Sequence, residues 1–532
     1  MHARAIALFA IALLVGPAGV LASTDQDRER CAAFQADPNF AIESCSRIID
    51  DNDVGRDRLV EALSGRGEAY ELKGEVANAL LDYSAAIELD PDYVFLWVNR
   101  GEAYAASGDH DSAIADFSEA IRLAPENDGA FLARGDSYRA KGDYDLAIDD
   151  YSEVIKLRPD MMAYFNRAMA YNAKGDLDLA IIGYGEAIKM NPRAATSFYN
   201  RGNAYLDKGE FDLAIADYDV AIRIEPDSAA AWLNRGAAWQ EKGDLDRAVA
   251  DFDEGVRLDP ANPNSLVNRG NVHYAKGDFD RAITDYKSAL ALDAKNASIH
   301  FNLGLALHSK DDSEAALAAF NDALRLEPSC ADILASRGEV QLYVGETDKA
   351  EADYNAALKL DPKNAAAWYG LGSVDQARDD HRKAVEHFAK AIELDPKDPE
   401  ALNGRCYSLA ITDRLQEALA DCDASLALAP ADYRTLDSRG FTFLKLGDLD
   451  KAIADFDAAL AQAPQLTESL YGRGIAKARK GDMDGSGADI AAAIAVMPTI
   501  GEDFVAYGIP RLDPPQGAAH LRQALPKPGF QP

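Results

Sequence analysis

The sequence lacks the short motifs that mark common catalytic and cofactor sites. It has no phosphate-binding loop ending in GK[ST], no GxSxG nucleophile motif and no zinc-binding pattern. Segments such as RGEAY recur inside a helical pattern, so they do not fit the loops that bind dinucleotides. These absences argue against an enzyme and predict a protein without cofactors.

Basic residues are few relative to acidic ones. The 532 residues include 55 Lys and Arg against 89 Asp and Glu, which gives a formal net charge of −34 at pH 7. A surface this acidic repels phosphate backbones and anionic lipid headgroups. We therefore expect neither nucleic acid nor a membrane surface as a partner.

Long apolar runs are confined to the N-terminus. The segment MHARAIALFAIALLVGPAGVLAS has Arg4, an apolar core and the tripeptide VLA before Ser23, which predicts a signal peptide over residues 1–22. A membrane anchor is the alternative, although the segment is short and interrupted by Gly16-Pro17. No later segment approaches the roughly 18 apolar residues of a membrane-spanning helix. The Ala- and Asp-rich composition is typical of a bacterial protein. Signal cleavage then predicts a periplasmic or secreted protein without membrane insertion.

One unit recurs throughout the chain. A small residue, usually the glycine of RG, returns every 34 residues, with a single step of 33. With this residue as position 8, position 20 is Ala, position 24 is aromatic and position 32 is Pro in most repeats. Thirteen residues occupy position 8: Gly67, Gly101, Gly135, Ala168, Gly202, Gly236, Gly270, Gly304, Gly338, Gly372, Cys406, Gly440 and Gly474.

Each repeat is predicted to form two helices, A and B. A glycine at position 15, such as Gly209, suits a left-handed helix cap, and Asp at position 16, such as Asp109, suits the N-cap of helix B. The proline at position 32 ends helix B. Since no single repeat can bury its apolar stripe, neighbouring repeats must stack.

This pattern over residues 60–500 resembles the tetratricopeptide repeat. The resemblance implies an all-α, right-handed superhelical solenoid of about 13 hairpins, with a concave groove lined by the A helices. It also implies protein or peptide binding rather than catalysis. Residues 23–59 are predicted to form a linker and a cap hairpin, residues 501–510 the end of a capping helix, and residues 511–532 a flexible tail.

Position 7 is arginine in 11 of the 13 repeats, where this family normally has leucine. In a hairpin that turns near position 15, position 7 lies opposite position 23, and 10 of the Arg repeats have Asp there. The two Leu repeats, with Leu303 and Leu371, do not. We interpret the arginine as one partner of a structural salt bridge. The pairs Arg100–Asp116, Arg201–Asp217 and Arg235–Asp251 represent the prediction.

Asparagine recurs on the side of helix A that is predicted to remain open. Its amide offers a donor and an acceptor, so a regular row could bind the backbone of an extended peptide. The row is similar to the asparagine ladder in the repeat groove of O-GlcNAc transferase. Its members are Asn99, Asn166, Asn200, Asn234, Asn268 and Asn302 at position 6, with Asn203 and Asn271 at position 9.

Aromatic residues accompany this row. Phe165, Tyr199 and Phe301 lie at position 5, and Tyr274 lies at position 12. They pack against the neighbouring A helix or face a ligand, and the sequence leaves both open. Carboxylate-tail binding, which the family achieves with Lys at position 5, is not expected, because no repeat has Lys there.

The five cysteines suggest two disulfides. Cys406 replaces the small residue at position 8 and Cys422 the aromatic at position 24 of the same hairpin, as a disulfide requires. Two buried thiols are the alternative. Cys31 and Cys45 are expected to pair within the N-terminal cap, which leaves Cys330 unpaired.

Two groups allow a metal site as an alternative. His273, His300 and His308 come from neighbouring repeats, and GDMDGSGAD (481–489) has some features of a calcium loop. The segment occupies an ordinary turn between helices, and a lone histidine is more often a core residue than a ligand. We expect no metal.

These observations predict a non-catalytic periplasmic scaffold that binds extended segments of other proteins in its groove, most strongly around residues 161–302. The alternative is an accessory scaffold of polysaccharide export or envelope assembly, in which groove aromatics contact sugars. The identity of the partner is not encoded in any motif.

Overall fold

A computed structural model describes residues 24–512, all of which lie in α-helices or in the turns between them. The predicted signal peptide 1–22, and residues 513–532 of the predicted tail, lie outside this range. The chain divides into two compact parts, an N-terminal half that ends at Leu258 and a C-terminal half that begins at Asp259. None of the helices in the described range has both the length and the apolarity needed to cross a bilayer.

The N-terminal half contains a cap hairpin followed by six repeats. The helices are α1 (Asp25–Ala32), α2 (Pro38–Ile49), α3 (Arg56–Leu72), α4 (Val76–Leu89), α5 (Val94–Ala106), α6 (His110–Leu123), α7 (Asp128–Lys141), α8 (Tyr144–Leu157), α9 (Met161–Lys174), α10 (Leu177–Met190), α11 (Ala195–Asp207), α12 (Phe211–Ile224), α13 (Ala229–Glu241) and α14 (Leu245–Leu258). Helix A of repeat 1, α3, begins upstream of residue 60, where the first repeat was predicted to start.

The C-terminal half contains seven repeats and a final short helix. The helices are α15 (Pro263–Ala275), α16 (Phe279–Leu292), α17 (Ala297–Ser309), α18 (Ser313–Leu326), α19 (Ala331–Tyr343), α20 (Thr347–Leu360), α21 (Ala365–Ala377), α22 (His381–Leu394), α23 (Pro399–Ile411), α24 (Leu415–Leu428), α25 (Tyr433–Leu446), α26 (Leu449–Gln462), α27 (Thr467–Lys480), α28 (Met483–Val496) and α29 (Ile500–Ala506). In both halves, each helix packs against the next one in the chain.

The turn between helices A and B follows the predicted chemistry. Gly209 has φ +74°, a left-handed conformation that glycine adopts without a Cβ clash. Three repeats place an aspartate there instead, Asp311, Asp379 and Asp413, with φ between 56° and 63°. Asp109 caps helix B of repeat 2 by accepting a hydrogen bond of 3.2 Å from the backbone N of Ser112.

Small residues let the two helices of a hairpin approach. A Cβ built on Gly202 at position 8 would lie 2.8 Å from the ring of Tyr218 at position 24, closer than packed carbon atoms allow. Ala214 at position 20 and Tyr218 are both fully buried. The repeated small–large contact is therefore the core of each hairpin.

The two ends of the array differ from its middle. At the N-terminus, Thr24 and Asp27 form a capping box that begins α1, and α2 packs on α3. At the C-terminus, α29 lies against α27 and α28, and buries Ile500 and Phe504. A helix therefore follows the last repeat where a capping helix was predicted, but it ends at Ala506 rather than at residue 510. It covers apolar surface that the last repeat would otherwise expose.

Candidate functional site

The arginine at position 7 ties the two helices of its own hairpin. Arg201 donates from Nε to Asp217 Oδ2 at 2.6 Å and from Nη2 to Oδ1 at 2.7 Å. Such a bidentate pair fixes orientation as well as distance. The same two bonds join Arg66–Asp82, Arg100–Asp116, Arg134–Asp150, Arg235–Asp251, Arg269–Asp285, Arg337–Asp353, Arg405–Asp421, Arg439–Asp455 and Arg473–Asp489.

A third bond links the arginine to the preceding repeat. Arg100 Nη1 donates to Ser84 Oγ at 3.0 Å, and Arg473 Nη1 donates to Asp457 Oδ1 at 2.6 Å, both at position 25 of the repeat before. This link between repeats was not predicted from the sequence. Its signal was available, because position 25 is Ser, Asp or Asn before most Arg repeats. The arginine is thus a structural residue of both the hairpin and the stack.

Repeat 4 shows why one arginine lacks its aspartate. Position 8 is Ala168 rather than glycine, and position 23 opposite is Gly183. A Cβ on Gly183 would lie 2.9 Å from Ala168 Cβ, so an aspartate cannot be accommodated. Arg167 keeps its bond of 3.0 Å from Nη1 to Ser152 Oγ in the preceding repeat.

Four of the six asparagines at position 6 are held by the preceding repeat. Each of these four donates a side-chain N–H to position 9 of that repeat, where the acceptor is a carboxylate or another asparagine. The bonds are Asn99 Nδ2 to Glu68 Oε1 at 3.2 Å, Asn166 Nδ2 to Asp136 Oδ1 at 3.0 Å, Asn234 Nδ2 to Asn203 Oδ1 at 2.8 Å and Asn302 Nδ2 to Asn271 Oδ1 at 3.2 Å.

The acceptor at position 9 serves a second donor. Tyr218 donates its hydroxyl to Asn203 Oδ1 at 2.7 Å, and Tyr286 donates to Asn271 Oδ1 at 2.8 Å. Asn203 and Asn271 therefore link a B-helix tyrosine to the next A helix. The stack therefore uses part of the hydrogen-bonding capacity of these two amides, and their role in ligand binding stays a prediction.

The remaining ladder asparagines are less engaged with neighbouring repeats. Asn200 donates to the backbone oxygen of Thr196, one turn earlier in α11, at 2.8 Å. Asn268 is half-buried on α15. Asn166, by contrast, is only 8% exposed, and it presents little amide surface to a ligand.

The position 5 aromatics pack on the ring at position 24 of their own hairpin. The ring centroids are 5.6 Å apart for Phe165–Tyr184, 6.0 Å for Tyr199–Tyr218 and 5.9 Å for Phe301–Phe320. Tyr274 contacts Phe279 at 5.5 Å, and its hydroxyl lies 3.1 Å from Ser309 Oγ. These rings are half-buried, and the contacts of Phe165, Tyr199 and Phe301 are with the B helix of their own hairpin rather than with the neighbouring A helix.

The A-helix face of the N-terminal half carries an acidic cavity of about 630 Å³ between α3 and α5. Glu68, Glu71 and Glu102 line it, and burial raises the pKa of all three carboxyl groups. Phe95, which is 63% exposed, forms part of the wall. This site favours a ligand that donates hydrogen bonds or carries positive charge.

The A-helix face of the C-terminal half has a comparable cavity of about 430 Å³, lined by Tyr407 and Asp437 among others. Burial raises the pKa of Asp437 to about 7, although Ser469 donates a hydrogen bond to its carboxylate. Arg434 also lines the cavity, and its Nη1 lies 3.8 Å from Glu400 Oε1. Neither cavity was predicted from the sequence. Their carboxylates form no sequence motif, because they come from more than one repeat and become neighbours only when the repeats stack.

The four expected cysteines lie in pairs at disulfide distance. The sulfur atoms are 2.11 Å apart for Cys31–Cys45 and 1.95 Å apart for Cys406–Cys422. Cys330 stands at the N-cap of α19, half-buried, and is a free thiol.

The residues considered for metal binding have local roles. Within residues 24–512, no group of three or more His, Cys, Asp or Glu side chains is arranged to hold a metal ion. Asp482 caps α28 through the backbone N of Gly485, and Asp489 accepts hydrogen bonds from Arg473 and Lys477. His300 Nε2 lies 3.3 Å from the backbone oxygen of Ala294.

Stacked two-helix repeats held by one recurring set of side chains define a helical-repeat protein of the scaffold class. Family profiles described as tetratricopeptide repeat or TPR repeat match residues 67–108, 94–127, 132–196, 202–243, 240–277, 270–311, 297–330, 342–376, 365–398 and 440–497. Together they span more than half of the chain, which therefore belongs to the tetratricopeptide repeat family. Members of this family are in general non-catalytic scaffolds. The family membership of this chain implies a scaffold for protein–protein interaction.

Solved structures resemble the chain weakly in overall superposition. The Cut9–Hcn1 hetero-tetramer of APC/C is 14% identical and covers 80% of this chain and 97% of its own, with a TM-score of 0.43. A tetratricopeptide repeat protein from Parabacteroides merdae is 20% identical and covers 44% and 93%, with a TM-score of 0.37. YrrB, described as a TPR protein with an unusual peptide-binding site, is 25% identical and covers 35% and 95%, with a TM-score of 0.30. Curated protein sequences gave no match.

Proposed function

We propose that this protein is an exported bacterial scaffold that binds extended segments of other proteins along the A-helix faces of its repeats. The observation that carries the proposal is the fixed orientation of the asparagine row. Bonds such as Asn302 Nδ2 to Asn271 Oδ1, at 3.2 Å, hold the amide without using its carbonyl oxygen or its second N–H. A preordered donor and acceptor lose little side-chain freedom when a peptide binds.

Acidic cavities on the A-helix faces of the two halves add a charge preference. Glu102 in the N-terminal half and Asp437 in the C-terminal half lie in cavities on the same A-helix faces. A carboxylate in such a site is stabilised by a cationic side chain. We therefore expect bound segments to contain Lys or Arg in addition to an extended backbone.

The glycan alternative has less support. Sugar stacking requires aromatic rings with an accessible face, whereas Phe165, Tyr199 and Phe301 are half-buried against the paired helix. We favour peptide segments as the ligand for this reason.

The test uses linear peptides selected from a random library on the intact protein. Replacing Asn200 and Asn234, which both lie in the N-terminal half, with Ala should weaken binding of the selected peptides by about tenfold, because each amide supplies hydrogen bonds to the peptide backbone. Fluorescence anisotropy measures the dissociation constants. The matched control is Asn355→Ala, because Asn355 on the B helix α20 makes the same 2.8 Å bond to a backbone oxygen one turn earlier as Asn200 does.

A second arm separates backbone recognition from side-chain recognition. N-methylation of successive peptide bonds in the selected peptide should weaken binding at regularly spaced sites, since it removes the N–H that the asparagine oxygen accepts. Equal binding by the double variant, by Asn355→Ala and by the original protein would contradict the role of the row.

Export is part of the proposal. The signal-peptide pattern at residues 1–22 supports it, and so does the pairing of four cysteines at disulfide distance, which an oxidising compartment would preserve. Mass spectrometry of the protein from periplasmic extracts should show an N-terminus at Ser23 and masses for two disulfides under non-reducing conditions. A mature chain that retains residue 1 in the cytoplasmic fraction would contradict export.

A further inference from the structure

Position 11 of helix A is an aromatic ring in the first six repeats. The residues are Tyr70, Tyr104, Tyr138, Tyr171, Tyr205 and Trp239. In repeats 1, 2, 3 and 5, this ring lies beside the arginine at position 7, with Arg201 Cζ, for example, 5.9 Å from the centroid of Tyr205. The ring covers one side of the guanidinium that forms the salt bridge.

Repeat 12 shows what surrounds such a ring in the C-terminal half. Phe443 at position 11 has Arg439 Cζ at 6.0 Å and Lys451 Nζ at 5.1 Å from its centroid. Lys451 is at position 19, on helix B of the same repeat. The ring therefore lies between two cations, one from each helix of its hairpin.

Repeat 9 keeps the two cations but not the ring. Arg337 and Lys349 occupy positions 7 and 19, while position 11 is Gln341 and position 4 is Leu334. Arg337 retains its bidentate pair with Asp353, at 2.7 and 2.8 Å, so the hairpin frame is unchanged.

A cavity of about 460 Å³ opens at this place. Its lining includes Arg337, Gln341, Lys349 and Leu317, which come from α18, α19 and α20. Since α18 and α20 are B helices, the cavity is separate from the A-helix face that carries the asparagine row. It is larger than a single aromatic side chain, and it has an apolar wall at Leu317.

The glutamine in this cavity has an unsatisfied acceptor. Gln341 is 7% exposed, and its Oε1 has no hydrogen-bond partner among the described residues of the chain. A buried polar atom without a partner destabilises the folded state. A ligand that donates a hydrogen bond here would remove that destabilisation.

We propose that the cavity of repeat 9 binds an aromatic side chain of a partner protein that carries its own hydrogen-bond donor, a tyrosine or a tryptophan. The ring takes the place between Arg337 and Lys349 that Phe443 occupies in repeat 12. Its O–H or N–H donates to Gln341 Oε1. The partner thus completes an arrangement that other repeats build from their own sequence.

The experiment measures binding of N-acetyl-tyrosinamide and N-acetyl-tryptophanamide to the full-length protein by saturation-transfer difference NMR. Both should bind more strongly than N-acetyl-phenylalaninamide, which has the ring without the donor, and N-acetyl-leucinamide should not bind at this site. Gln341→Phe places the chain's own ring in the cavity, as in repeat 12, and should reduce the signal of the first two probes at least tenfold.

A gain-of-function variant shows whether the loss of probe signal in Gln341→Phe reflects the filled cavity rather than misfolding. Phe443→Gln opens the equivalent place in repeat 12 between Arg439 and Lys451, and should add a second binding site. Unfolding curves check that both variants remain folded. Equal probe signals for the original protein and Gln341→Phe, or equal signals for tyrosinamide and leucinamide, would overturn the proposal.

Discussion

The arginine at position 7 does at the residue scale what leucine does elsewhere in this family. Arg235 donates two hydrogen bonds to Asp251 within its hairpin and a third, of 2.5 Å, to Asp219 in the preceding repeat. In repeat 8 the same two positions, 7 and 23, hold Leu303 and Ala319, and both residues are buried. The chain therefore contains a polar and an apolar version of one contact.

These two versions allow a matched test of the ion pair. Arg235→Leu should lower the free energy of unfolding of its hairpin by about 3 kcal/mol, because it leaves the Asp251 carboxylate buried without a partner. Adding Asp251→Ala should restore most of the loss, since it reproduces the pair of repeat 8. Native-state hydrogen exchange of amides in α13 and α14 measures both effects. A double variant as unstable as the single one would assign the loss to the arginine stem or to Asp219.

The turn glycine at position 15 gives a second prediction at this scale. Gly243 has φ +79°, and a Cβ there would meet no atom within 4 Å, so only backbone strain opposes a side chain. Gly243→Ala should cost about 1 kcal/mol. Gly243→Asp should cost less, because Asp311, Asp379 and Asp413 already adopt this conformation. Urea unfolding compares the two variants, and equal costs would contradict a special tolerance for aspartate.

At the scale of the element, α29 has a role that its short length does not suggest. Phe504 lies with its ring centroid 4.9 Å from that of Tyr471 and 5.6 Å from that of Phe441, on two different A helices. After α29, the Tyr471 hydroxyl donates to the backbone oxygen of Leu512 at 3.0 Å. The segment thus joins repeats 12 and 13 from their A-helix side.

We expect the last repeats to depend on this helix. Phe504→Ala should cost about 3 kcal/mol through the cavity it leaves, and should reduce hydrogen-exchange protection in α27 and α28. Val505→Ala on the same helix is the control, because Val505 is 52% exposed and its loss should change little. Unchanged protection in the Phe504 variant would mean that repeat 13 is stable without its cap.

Element boundaries followed from the sequence where a specific residue fixes them. Gly209 and Asp109 mark the turn and the N-cap because their backbone and side-chain chemistry is local. The start of α3 at Arg56 did not follow, since no side chain caps it and its first turn depends on tertiary packing.

The candidate site was less predictable than the fold. The position 7–23 pairing could be read from covariation among repeats, whereas the bonds of Asn203 and Asn271 to the next helix could not. Those bonds depend on how far one repeat is displaced along its neighbour, a quantity that a single repeat does not encode. The cavity at Gln341 was missed for a different reason, because position 11 varies among the C-terminal repeats and no pattern distinguishes its glutamine.

At the scale of the whole molecule, the net charge of −34 opposes the compact state through self-repulsion. The arginine–aspartate pairs are largely shielded from solvent, with side-chain exposures of 16% and 7% for Arg235 and Asp251. Salt should therefore screen the surface repulsion more than it weakens these pairs.

Raising the ionic strength from about 0.01 M to about 0.15 M should increase the thermal unfolding temperature by a few degrees, because the screening length falls from about 30 to about 8 Å. Circular dichroism follows the transition. Salt also weakens exposed ion pairs between repeats, such as Lys208–Asp178, and this lowers the unfolding temperature. Each such pair contributes little to the free energy of unfolding. A lower unfolding temperature in salt would mean that these pairs outweigh the repulsion.

The bond from arginine Nη1 to position 25 of the preceding repeat has a genetic consequence. It joins the same two positions wherever it occurs, as in Arg100–Ser84 and Arg473–Asp457. An unequal crossover that deletes or duplicates one block of 34 codons between such repeats therefore brings a matching donor and acceptor together. The number of repeats can therefore change during evolution while the contact between neighbouring repeats is kept.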